Sequence, residues 1–85
     1  MKSEIFKTLS PTQQQVVNCL MAHESFVVKS QYYNHNKVMS VNEMYGFRHY
    51  CLAQFPRPTF NVLIRKNILL QSYDHKDIFT LNKDL

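Results

Sequence analysis

Apolar positions along the chain come in runs separated by polar or proline-marked breaks. The first run is announced by Ser10-Pro11-Thr12-Gln13. Serine can cap a helix, proline suits its first turn, and a glutamine three residues on can reach back to the serine amide. Val16, Val17, Cys19 and Leu20 then share an arc of about 160° at helical spacing. His23 and Val27 continue that arc, so the pattern predicts a helix from Pro11 to Val27, with His23 half-buried on its apolar side. Residues 28–37 show no period and read as a loop, long beside the usual connection of about 4–6 residues. Lys37-Val38-Met39 reads as a short strand. Ser40-Val41-Asn42-Glu43 is a second capping box, with Met39 and Met44 in the two positions of a hydrophobic staple. Val41, Met44, Tyr45, Phe47, Cys51 and Leu52 project to one side and predict a second helix over residues 40–54. Gly46 weakens that helix by about 1 kcal/mol relative to alanine. Arg48 falls in the middle of its apolar arc, where a charge needs a partner.

Phe55-Pro56-Arg57-Pro58 is a stop and a restart, because each proline disfavours helix in its predecessor. Over residues 58–66 a third helix is expected, with Phe60, Leu63 and Ile64 inward. Pro58, Val62 and Arg65 lie opposite, flanked by Thr59, Asn61 and Lys66. Asn67 suits the left-handed cap that ends a helix. Residues 68–73 and 77–81 are rich in β-formers and read as a hairpin joined by Asp74-His75-Lys76.

The 85 residues allow one domain, with residues 1–8 as a loose N-terminal arm. A content of 45% hydrophobic and 13% aromatic residues excludes a disordered chain. No apolar run approaches the ~18 residues of a membrane span, and the N-terminus lacks the apolar core of a secretory signal. Cys19 and Cys51 make a poor disulfide framework and read as buried thiols, which points to a reducing, cytoplasmic setting. In a helix His49 and Cys51 would point about 160° apart, so no metal site is expected. No orienting group for a Cys51 nucleophile is legible either. No enzyme, cofactor or small-molecule ligand is therefore expected.

Charge adds a direction. Residues 25–70 carry Lys29, Lys37, Arg48, Arg57, Arg65 and Lys66 against Glu43 alone. That segment holds the whole positive excess of a chain with net charge +4, as a polyanion partner would require.

Two segments resemble MarR-like winged-helix regulators. Leu9-Ser10-Pro11-Thr12-Gln13-Gln14-Gln15-Val16-Val17-Asn18-Cys19-Leu20 is similar to their first helix. Leu63-Ile64-Arg65-Lys66-Asn67-Ile68-Leu69 is similar to the end of their recognition helix, with Asn67 where glycine is usual. The resemblance implies a mainly α winged helix-turn-helix with three helices and a C-terminal β hairpin as the wing. It further implies sequence-specific double-stranded DNA binding by a small transcriptional regulator, the third helix in the major groove and the hairpin on the backbone. Arg65, Asn61, Thr59 and Val62 are then the candidates for base edges, and Arg57, Lys66 and Lys76 for phosphates. Lys29, Lys37 and His75 are weaker candidates. So small a reader needs a homodimer or tandem sites for useful specificity.

Two alternatives stand beside this reading. In one, the same fold docks a protein through Val62, Pro58 and the Tyr32-Tyr33 loop. In the other, the break at Gly46 makes residues 47–54 the reading helix, with Arg48 and His49 in place of Arg65 and Asn61.

Overall fold

The computed structural model describes residues 1–29, 38–45 and 48–85. Its elements run α1 (Ser3–Lys7), α2 (Pro11–Ala22), β1 (Ser25–Lys29), β2 (Val38–Tyr45), β3 (Arg48–Pro56), α3 (Arg57–Arg65), β4 (Leu69–Gln71) and β5 (Ile78–Leu81). The five strands form one sheet in the order β3-β2-β1-β5-β4, with every neighbouring pair antiparallel. This mixed α/β architecture replaces the expected mainly α winged helix. The difference lies in residues 38–56, which build a pair of strands where a second helix was expected.

The local signals at the start of α2 and at the end of α3 hold. Gln13 N–H donates to Ser10 Oγ at 3.3 Å, and Ser10 N–H donates to Gln13 Oε1 at 2.9 Å, closing the capping box that starts α2. Asn67 takes the left-handed conformation at φ 59°. Ile68 N–H then reaches Leu63 O at 2.9 Å and Asn67 N–H reaches Ile64 O at 3.0 Å, the paired bonds that satisfy the last carbonyls of α3. The hairpin forms as β4 and β5, shorter than the expected runs.

Helix α2 stops at Ala22, five residues before its expected end, and His23 is already extended. Phe26, Val27 and Val28 are aromatic or β-branched, and Ser25–Lys29 becomes the central strand, pairing with β2 on one side and β5 on the other. Residues 38–45 fit two periods. Met39 and Val41, fully buried, alternate with residues of the opposite sheet face, while the same residues also make a helical arc. Pairing decides between them, because β2 matches β1 from Ser25↔Glu43 to Lys29↔Met39 and matches β3 along its whole length. The capping box at Ser40–Glu43 is not realised. Residues 48–56 are likewise strand, which removes the alternative reading helix over 47–54. Gly46 lies outside the described residues, as do Tyr32, Tyr33 and Lys37, and so do the side chains of Lys29, Arg48 and His49.

Directly opposed residues of antiparallel strands share a face. The inward face carries Val27, Val41, Met39, Phe55 and Phe79, all buried. Val16, Val17 and Leu20 of α2 pack on it with Phe60 and Leu63 of α3. Phe60 and Phe79 meet edge to face at a centroid distance of 4.8 Å. A register shift between Val41 and Asn42 marks a bulge in β3, and Leu52 and Ala53, next to one another there, both pack against the core. Residues 3–7, expected as a loose arm, form α1. Gln14 Nε2 of α2 holds it by donating to Phe6 O at 3.1 Å and Leu9 O at 3.2 Å, and Ile5 and Phe6 pack against the core. Among the described residues no helix is long and apolar enough to cross a membrane.

Candidate functional site

Helix α3 begins where Pro56 ends β3 and, with Pro58 in its first turn, touches β3, β2 and β4 as it crosses the sheet. Its buried side is Thr59, Phe60 and Leu63, and its opposite side is Arg57, Pro58, Asn61 and Arg65, all exposed. Arg57, Asn61 and Arg65 stand four residues apart and so form one row along the helix, about 12 Å from end to end. No acidic residue occurs between Met44 and Tyr73, so α3 and its flanks carry cationic charge without a carboxylate of their own. Among the described residues the side chains of Asn61 and Arg65 make no hydrogen bond or ion pair. Arg65 sits in the last turn, where the helix dipole favours a cation.

The other expected contacts divide. Thr59 is 7% exposed and faces the sheet, so it is not part of the outward row. Val62 is half-buried at the margin of the row. Lys66 is exposed, and its ammonium donates to Thr8 O at 3.5 Å and Thr8 Oγ1 at 3.3 Å, tying α3 to the end of α1. Lys76 and His75 are exposed in the β4–β5 connection, which is fixed by Gln71 Nε2 donating to Lys76 O at 2.8 Å.

Two further features were not legible in the sequence. His23 Nδ1 lies 3.6 Å from Glu43 Oε2, joining the end of α2 to β2. An open cleft of about 810 Å³ lies beside that end of α2, lined among others by Leu20, His23, Glu24, Leu81, Lys83 and Asp84, a mixture of both charges. The cysteines part company. Cys51, expected to be buried, is exposed on β3, with its thiol 3.6 Å from Ala53 O. Cys19 is half-buried, and burial raises its pKa, with smaller contributions from the Cys51 and Glu43 charges. Among the described residues no three metal-ligating side chains are gathered. No known protein family, curated protein or solved structure matches the chain.

Proposed function

We propose that this chain binds double-stranded DNA through the outward row of α3 and serves as a small regulator of transcription. The observation that carries the reading is the exposed Arg57–Asn61–Arg65 row within a stretch free of acidic residues. Arginine can take guanine by two parallel hydrogen bonds and asparagine can do the same with adenine, so Arg65 and Asn61 are the sequence readers. Arg57, Lys66 and Lys76 hold phosphates, with Lys7 as an addition from α1. Val62 can meet a thymine methyl only at the row's margin, and Thr59 makes no base contact. The sheet serves as a rigid platform behind the helix.

Salt tests the reading. Binding of mixed genomic fragments is expected to weaken steeply between about 50 and 200 mM salt. Arg65→Ala is expected to cost about 1–3 kcal/mol on preferred fragments and to flatten the preference among them. Absence of binding at low salt defeats the reading. A protein-docking role is the second reading, favoured by Tyr73 and Leu70, which are exposed at 103% and 43%. An apolar interface of that kind would hardly respond to salt.

A further inference from the structure

The exposed side of α3 narrows to two free side chains. It consists of Arg57, Pro58, Asn61 and Arg65, with Lys66 just beyond the last turn. Pro58 has no side-chain group that gives or takes a hydrogen bond. The ammonium of Lys66 is held by Thr8 O and Thr8 Oγ1. Arg57 already has a partner within the chain. Among the described residues the side chains of Asn61 and Arg65 make no hydrogen bond or ion pair.

The row is short in the middle and long at its ends. Asn61 is the central residue of a nine-residue helix and stands between two arginines. The major groove is about 12 Å wide and about 8.5 Å deep. A straight helix laid in it comes closest to the base edges at its middle, because the DNA curves away from its ends. From the middle a short amide reaches a base, whereas an end needs a long guanidinium.

We propose that α3, given the DNA binding on which this rests, reads two adjacent base pairs, an adenine through Asn61 and a guanine through Arg65, with Arg57 outside the reading pair. Four residues of helix advance about 6 Å, against a rise of about 3.4 Å per base pair. The groove runs obliquely to the DNA axis, so its path per base pair is longer than that rise. Reading side chains three or four positions apart therefore meet successive bases. The asparagine amide accepts from adenine N6 and donates to N7, and the guanidinium donates to both O6 and N7 of guanine. Exchanging the bases sets the amide oxygen against guanine O6 and an arginine N–H against the adenine amino group. Each position consequently rejects the other's base.

Selection from a randomised duplex library by the wild-type chain at about 50 mM salt, followed by titration of the selected duplex and its single-base variants, tests the two-base reading. A wrong base at either of two neighbouring positions is expected to lower affinity on the order of 5- to 100-fold. Asn61→Ala should abolish the adenine preference and keep that for guanine, and Arg65→Ala should do the reverse. Arg57→Ala and Lys76→Ala should weaken all duplexes alike and move no base preference. Both reading residues are exposed, so circular dichroism of their variants should match the wild type. Preferences that survive both substitutions, affected positions that are not neighbours, or a base preference lost in Arg57→Ala overturn the two-base reading. Salt-sensitive binding without any base preference overturns it too, and leaves DNA binding by α3 standing. No binding at this salt overturns both.

Discussion

Gln14 holds α1 against α2 through two backbone carbonyls, Phe6 O and Leu9 O. Each such bond contributes about 0.5–1.5 kcal/mol, so Gln14→Ala is expected to lower the melting temperature modestly and to speed hydrogen exchange over Ser3–Lys7. An unchanged exchange rate would show that apolar packing of Ile5 and Phe6 holds α1 unaided. Leu63, fully buried where α3 meets the sheet, behaves differently. Leu63→Ala should cost about 2–5 kcal/mol in denaturant unfolding, because it leaves a cavity between two layers. Thiolate is the reactive form of cysteine, and the raised pKa of Cys19 keeps it protonated. Maleimide near neutral pH should therefore modify Cys51 first, and Cys19 should catch up only as pH rises; equal rates would contradict its burial. Residues whose role depends on near neighbours were readable from sequence, Ser10 with Gln13 and Asn67 above all. Thr59 was not, since the width of α3's buried side is set by a sheet that the helical period does not reveal.

At the scale of elements, the decisive segment is 38–45. Val41, Met44 and Tyr45 satisfy a helical arc while Met39 and Val41 satisfy a strand, and an apparently good cap at Ser40–Glu43 tips a local reading toward helix. The strand wins through partners distant in sequence, β1 on one side and β3 on the other. Gly46 and the out-of-place Arg48 were the signs against the helix, one lowering its propensity and the other setting a charge in its apolar arc. Asn42 offers a clean test. Proline is tolerated in the first turn of a helix, where Asn42 would stand after a Ser40 cap, but it removes a ladder bond from a strand paired on both sides. Asn42→Pro is thus expected to abolish the cooperative thermal transition. A variant that melts near the wild type would restore the helix. Helix α3 and the β4–β5 hairpin were legible because their signals, Pro58, Asn67 and two β-rich runs, are local.

Taken whole, the molecule is a sheet whose inward face is covered by α2 and α3, and α3 presents Arg57 and Arg65 on its exposed side. Lys66, just after α3, binds Thr8 and ties α3 to the end of α1. The opposite sheet face is uncharged where it is described, with Phe26, Val28 and Ile78 half-buried and Gln54 exposed. The basic middle of the chain was legible from charge alone. Its placement depended on the fold, which the expected winged helix mistook. The most direct measurement is a titration of isotopically labelled protein with a short DNA duplex, followed residue by residue through amide NMR shifts. The expected result is a set of perturbations centred on Arg57, Asn61, Arg65 and Lys66, weakening with salt and leaving Phe26, Asn42 and Gln54 unmoved. Perturbations centred on the uncharged sheet face, or none at low salt, would contradict the assignment of α3 as the DNA-binding surface.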